Sequence, residues 1–177
     1  MTFTTKTIFN SLQKDNILLI GRALDLGCGR GADAVNFAKA GFTVEAVDKD
    51  AEAVSEIKDP NITTIVSEIE GFKITKENYS LISCQYVLHF LSKESTETVI
   101  REMVDGTSPK GIIAFTLLGE KDEWRDKWST WTKEAALDFI AKLPVKIRKT
   151  ITEEGSGQTK AGVIKYWHVL NFVLIKD

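Results

Sequence analysis

The sequence predicts an α/β fold, a doubly wound and mostly parallel seven-stranded sheet that ends in an antiparallel C-terminal hairpin. Three observations predict it. Short apolar runs alternate with segments of helical period as far as Leu118, the pattern of parallel strands joined by crossover helices. A glycine-rich turn, "GCGRG", follows the first of these runs directly, where such sheets place a ligand. Beyond the fifth run the alternation stops, and the last two strand-like segments have no helix between them.

Taken in order, the strands fall at 22–26, 42–47, Ile62–Val66, Tyr79–Cys84 and 111–118, with helices over 32–40, 51–58 and 93–104. The third helix is well punctuated: Ser92 caps its start, Gly106 suits a left-handed C-terminal position, and Pro109 stops continuation. A further helix carries Ala136, Phe139, Ile140 and Leu143 on one face, is capped by Thr132 and ends before Pro144. Strands at 145–152 and 163–175 close the chain. The spacer between them, "EEGSGQTKAG", reads as a loop too short for a crossover helix, so these strands pair antiparallel.

The chain has 177 residues, 43% of them hydrophobic and 27% charged, values of an ordinary globular domain. A net charge of −2 argues against a protein held to nucleic acid by bulk charge. Cys28 and Cys84 form no disulfide framework or metal-ligand spacing, as expected of reduced thiols in the cytoplasm. The apolar run at 17–20 is too short for a membrane span, so neither membrane association nor a leader is expected.

The glycine turn admits two ligands. Gly27, Gly29 and Ala32 fit the nicotinamide fingerprint GxGxxG/A. Asp25, two residues before the first glycine, separates the readings. A dinucleotide lays an anionic pyrophosphate against this turn, where a carboxylate repels it, whereas an ammonium or sulfonium is attracted. Asp48, at the tip of the second strand, can accept both hydroxyls of a ribose. That feature is common to both readings. Asp50 is the N-cap of the next helix.

With Asp25, Gly27, Gly29 and Gly31 in the order acid-x-G-x-G-x-G, the chain resembles the class I S-adenosylmethionine-dependent methyltransferases. It is most similar to the small tellurite-resistance and thiopurine-type enzymes. The resemblance runs from about Arg22 to the C-terminus and implies a Rossmann-like methyltransferase domain over 22–177, preceded by a segment 1–21 that is a candidate cofactor lid. It implies S-adenosylmethionine as cofactor, held by Asp25, Gly27, Cys28, Gly29, Asp48 and Lys49. It further implies that Glu68 meets the adenine amino group, that Ile69 covers the ring, and that Gln85 contacts the methionine part.

The acceptor side is less constrained, because methyl transfer leaves no obligatory catalytic residue to find. His89, just beyond the fourth strand, is the candidate base, with a structural hydrogen bond as its alternative. Trp124, Trp128 and Trp131 are spaced for one helical face, either a substrate-facing lid or plain packing. Tyr86, His89, Trp124 and Trp128 are the candidate acceptor contacts. The expected function is methyl transfer to a small molecule by a monomer or weak dimer. A nicotinamide-dependent oxidoreductase and a non-catalytic cofactor-binding module are the alternatives.

Overall fold

The computed structural model describes residues 21–159 and 161–177; the candidate lid at 1–21 lies outside them except for Gly21. The elements are β1 (Gly21–Leu26), α1 (Ala32–Lys39), β2 (Phe42–Asp48), α2 (Ala51–Ser55), β3 (Ile62–Val66), β4 (Tyr79–Cys84) and α3 (Lys93–Gly106). There follow β5 (Thr107–Gly119), β6 (Thr130–Trp131), α4 (Lys133–Ile140), β7 (Val145–Gln158) and β8 (Ile164–Lys176). The sheet order is β3-β2-β1-β4-β5-β8-β7, with the short β6 paired to β5 alone.

Pairing is parallel from β3 through β5 and antiparallel for β5–β8 and β7–β8. The chain order therefore reverses beside β1 and β4. The carboxyl ends of those two strands form the crevice that open sheets use for ligands. Both sheet faces are covered. Leu24, Leu26, Ile82, Ile113, Phe115, Phe172 and Leu174 point toward α3 and α4. Ala23, Leu81, Ile112, Ala114 and Val173 point toward α1 and α2. The alternation along each strand thus buries both of its faces, as a parallel sheet requires.

Helix starts follow the residue chemistry. Ser92 Oγ accepts from Ser95 N–H at 3.0 Å, Thr132 Oγ1 from Ala135 N–H at 3.1 Å, and Asp50 Oδ1 from Glu52 and Ala53 N–H at 3.0 and 3.1 Å. Each satisfies backbone donors that the helix leaves open.

Three expectations are corrected. Gly106 is the last residue of α3 and not a left-handed cap. It is glycine because a Cβ there would overlap the Ile74 side chain, with Ile82 Cδ1 at 3.3 Å. The spacer "EEGSGQTKAG" is mostly strand: β7 runs on to Gln158, and Gly162 N–H donates to the Thr159 carbonyl shortly before β8 begins at Ile164. Of the glycines that suggested a loop, Gly157 makes room for an aromatic side chain. Trp167 lies across Gly157, donating from Nε1 to its carbonyl at 3.2 Å, and a Cβ on Gly157 would stand 3.1 Å from the indole. Finally, the three tryptophans do not share a helical face, because 120–129 is a run of turns and Trp131 belongs to β6.

Gly106→Ala is expected to lose stability by overpacking, about 1–3 kcal/mol, offset in part by the roughly 1 kcal/mol that alanine gains in a helix. Urea unfolding of Gly106→Ala, Ile74→Ala and the double variant checks this. The double variant should be less destabilised than the sum of the singles.

Candidate functional site

The glycine turn is strapped to the end of β2. Gly27 and Cys28 N–H both donate to the Val47 carbonyl, at 2.7 and 3.0 Å, and Gly29 N–H donates to Asp48 Oδ2 at 2.7 Å. Gly31 N–H closes back on the Cys28 carbonyl at 2.9 Å. To make these bonds the chain adopts φ of 71° at Gly27, 52° at Gly29 and 77° at Gly31, a region that a side chain disfavours. Gly27 and Gly31 have a second reason to be glycine. A Cβ would overlap Val87 at the first and stand 2.7 Å from Ile57 at the second. Their missing side chains thus admit other parts of the protein.

Two carboxylates flank this turn. Asp25 is buried at 3% exposure near the end of β1, paired in register with Ser83 of β4. Asp48 is half-buried, with Oδ1 accepting from Asp50 N–H at 3.0 Å. Each Asp48 oxygen accepts one of these backbone amides and retains a further acceptor position. Cys28 is buried beside the turn. Cys84 is also a free, buried thiol; burial pushes its pKa up, and the Asp25 carboxylate adds to this. A thiol so held is protonated and a poor partner for disulfide exchange.

The neighbouring loops complete the crevice. Lys49, after β2, faces Glu68, after β3, across 3.6 Å, and both are exposed. Ile69 is buried against the larger core. Gln85, just past β4, is committed to its neighbours. Its Nε2 donates to Ser83 Oγ at 3.2 Å, and Thr116 Oγ1 lies 2.6 Å from its Oε1 and 3.0 Å from Asn171 Oδ1. Asn171 Nδ2 then donates to Glu153 Oε2 at 2.9 Å. This polar ladder crosses β4, β5, β8 and β7. Single residues such as Gln85 gave no sequence signal for it.

Beyond the ladder stands an aromatic wall. Tyr86 has a left-handed φ of 58° and meets Trp167 edge-on at 5.9 Å. Burial raises its pKa first, then the Glu153 and Asp33 carboxylates. Trp124 contacts Trp167 at 5.7 Å and His89 at 6.5 Å, and Trp128 meets Phe90 edge-on at 4.9 Å. Trp131 belongs to the core and packs on Phe139. Tyr86, His89, Trp124 and Trp128 therefore form one cluster, while Trp131 packs elsewhere.

A buried ion pair anchors that wall. Asp122 and Lys165, both with fully buried side chains, are bonded through Oδ1 and Nζ. Asp122 also accepts Trp124 N–H on Oδ1 at 2.9 Å and His168 N–H on Oδ2 at 3.0 Å. The Lys165 ammonium lies 4.0 Å from the Trp167 ring centre and 4.4 Å from that of Trp124, within cation–π range. The signal for Lys165 was its place in the period-two series Lys165, Trp167, Val169, Asn171 and Val173 on one face of β8. His168 points to the other face, its Nδ1 accepting Lys121 N–H at 3.1 Å and its Nε2 3.5 Å from Glu154.

His89 is 4% exposed, and neither ring nitrogen has a hydrogen-bond partner among the described residues. Burial pushes its pKa down to about 4, opposed by Asp122 and reinforced by Lys165. Among the described residues no group of three metal-ligating side chains occurs, and no helix is long and apolar enough to cross a membrane.

This sheet, with its antiparallel final hairpin and a glycine turn between two carboxylates, is the fold of the class I S-adenosylmethionine-dependent methyltransferases. Within that class the chain belongs to the family of the tellurite resistance protein TehB, whose model matches residues 2–121. It is 29% identical over 96 residues to a probable S-adenosyl-L-methionine-dependent methyltransferase TehB of Haemophilus influenzae, covering 51% of this chain and 33% of that one. The chain thus spans about a third of that relative's length. The Haemophilus influenzae TehB crystal structure superposes with a TM-score of 0.78 at 17% identity, covering 96% of this chain and 62% of that one. A magnesium protoporphyrin IX methyltransferase from Synechocystis, solved with bound S-adenosylhomocysteine, superposes at 0.74 and 14% identity, covering 98% and 82%. At these identities the superpositions establish the fold.

Two outcomes follow. Asp122→Ala strands a buried ammonium and two amides and should cost about 3–5 kcal/mol, more than Lys165→Met, in guanidinium unfolding. The depressed His89 pKa also has a sign. The unfolded imidazole takes up a proton below its ordinary 6.5 and the folded one only near 4, so His89 carries no proton-linked cost above 6.5 and folding is penalised below it. That penalty grows to the order of 3 kcal/mol as pH falls from 6.5 toward 4. The pH slope of unfolding over that window should flatten in His89→Phe.

Proposed function

We propose that the chain binds S-adenosylmethionine at the glycine turn and transfers its methyl group to a small-molecule acceptor. The observation that carries this reading is the state of the turn itself. Gly27, Cys28 and Gly29 spend their amides on Val47 and Asp48, so they are not aimed outward as a phosphate-binding turn requires. A buried carboxylate, Asp25, stands behind them. An anionic pyrophosphate finds repulsion there, and a cationic ligand finds attraction.

The chain's residues take these roles in the reading. Asp25 supplies negative potential toward the cationic part of the ligand. Asp48, already fixed by two backbone amides, accepts the ribose hydroxyls with its remaining lone pairs. Cys28, Gly27 and Gly29 line the floor. Lys49 and Glu68 border the adenine end, with Ile69 beneath the ring. Gln85, held by Ser83 and Thr116, keeps the β4 tip in place under the methionine part. When bound, S-adenosylmethionine supplies a methyl group on a positively charged sulfur, a leaving group that needs no further activation. The remaining task of the protein is to align the acceptor and exclude water. The net charge of −2 supports a small acceptor over nucleic acid, acted on in the cytoplasm by a monomer or weak dimer.

Calorimetry tests this directly. S-adenosylmethionine and S-adenosylhomocysteine should bind and NAD should not; tight NAD binding with no response to either S-adenosyl compound overturns the reading. Asp48→Ala should weaken S-adenosylmethionine binding by about 1.5–3 kcal/mol, as for hydrogen bonds to a charged group. Asp50→Ala should instead lower the melting temperature with little change in affinity.

A further inference from the structure

We propose that His89 is the polar anchor of the acceptor site, and that the acceptor is an uncharged, flat or apolar molecule whose N–H, O–H or S–H group hydrogen-bonds to the imidazole. This rests on the methyl-transfer reading of the crevice and adds to it the chemistry of the acceptor.

The local fold has no use for the imidazole. The backbone around it is satisfied: the His89 carbonyl accepts Ser129 N–H at 3.1 Å, and the Leu88 carbonyl accepts Thr96 Oγ1–H at 3.0 Å. The ring itself is buried with two polar atoms unpartnered among the described residues. Phenylalanine would fill an aromatic cluster of this kind without leaving a donor and an acceptor unpaired, a loss that burial makes expensive. A polar group kept in so apolar a place is explained by a ligand that meets it.

The surroundings select the ligand. Phe90 lies 4.1 Å from the imidazole, and Trp124 and Trp128 each lie 6.5 Å from it. Phe90 is 52% exposed, and the two indoles are half-buried. The wall therefore has apolar surface open to solvent, suited to a flat or apolar body.

Charge narrows the choice further. The buried Lys165 ammonium is bonded to Asp122 and enclosed by Trp124 and Trp167, so it is not available to an anion. Lys127 is exposed and sits 5.0 Å from the Trp128 ring centre, in solvent where its charge is screened. The negative charges of Glu153 and Asp33 reach Tyr86, where they add to burial in raising its pKa. An oxyanion entering here would lose its hydration, meet carboxylates and gain no buried cation. A neutral molecule with one protic group loses little and donates to the acceptor nitrogen of the imidazole. The neutral ring offers one acceptor and one donor nitrogen.

The test uses the full chain without cofactor and two ring probes of similar size, phenol and anisole, with benzoate as the anion. Binding is followed by tryptophan fluorescence and by the imidazole nitrogen resonances, with His168 as internal control. Phenol should shift the His89 nitrogens and bind about tenfold more tightly than anisole, the worth of one hydrogen bond. Benzoate should leave those resonances in place. His89→Phe should fold with an unchanged or higher melting temperature and bind phenol and anisole alike. His89→Gln should restore part of the preference.

Equal binding of phenol and anisole to the wild type overturns the proposal. So does benzoate binding more tightly than phenol, or a phenol preference that survives in His89→Phe. S-adenosylmethionine titrations of the same proteins keep the two readings apart. His89→Phe should still bind it, because the residues assigned to the cofactor are those of the glycine turn, Asp25 and Asp48 and not the imidazole. Loss of that binding in the wild type would remove the methyl-transfer reading while leaving the phenol result intact.

Discussion

The end of β2 holds the glycine turn, and the geometry of the crevice depends on that clamp. One carbonyl, Val47, takes two consecutive amides and one carboxylate oxygen, of Asp48, takes the third. Three successive donors can reach acceptors on a neighbouring strand only if the turn coils tightly, and this imposes left-handed φ at alternate residues. Glycine spacing is thus a consequence of hydrogen-bond accounting. The side-chain space then left empty at Gly27 and Gly31 receives Val87 and Ile57. These bring the segment after β4 and the end of the α2 region against the turn, so local backbone chemistry fixes how distant segments pack.

A second node works on the opposite half of the crevice. Residues 120–129 have no regular secondary structure to hold them, yet they carry Trp124 and Trp128 at defined positions. One buried carboxylate, Asp122, replaces the missing ladder by accepting from Trp124 N–H, His168 N–H and Lys165 Nζ. Because every donor comes from β8 or from the loop itself, the loop is tied to the last strand. A buried ion pair contributes little net stability against an apolar replacement, but its geometry is demanding. Its effect here is to set where the indoles stand. The ladder from Ser83 to Glu153 does similar work one layer below, joining four strands through side chains near their ends.

Much of this was legible in the sequence, and what was not has physical reasons. Strand positions and the caps at Asp50, Ser92 and Thr132 follow from local rules, since apolar period and side-chain oxygens act within a few residues. Asp25, Asp48 and the glycines stood out because the turn concentrates unusual residues within a few positions, and the structure brings them together at the ends of β1 and β2. The hairpin was underestimated because Gly155 and Gly157 read as loop, when Gly157 accommodates Trp167 from the partner strand. Gly106 misled for the same reason: its glycine answers to Ile74, more than thirty residues away in sequence. The Asp122–Lys165 pair joins positions on a loop and a late strand, so only the register of β8 exposes it. Tryptophan spacing suggested a helix because period alone cannot tell a helix from consecutive turns.

The distribution of unfavourable features finally distinguishes the crevice from the rest of the molecule. Non-glycine residues with left-handed φ are Glu77, Tyr86 and Lys110 among those described. Glu77 and Lys110 are exposed, where turns accept such conformations at little cost. Tyr86 is half-buried between β4 and the aromatic wall, a place where strain persists only if surrounding contacts impose it. Three residues further on, His89 leaves both ring nitrogens unpartnered among the described residues. On the other side of Trp124, Asp122 and Lys165 are buried more deeply and fully engaged. A fold able to satisfy that pair has the means to satisfy an imidazole. The unpartnered imidazole, the left-handed Tyr86 and the exposed Phe90 thus fall in one short segment, 85–90. That is the segment a ligand lying across the ends of β4 and β5 would touch.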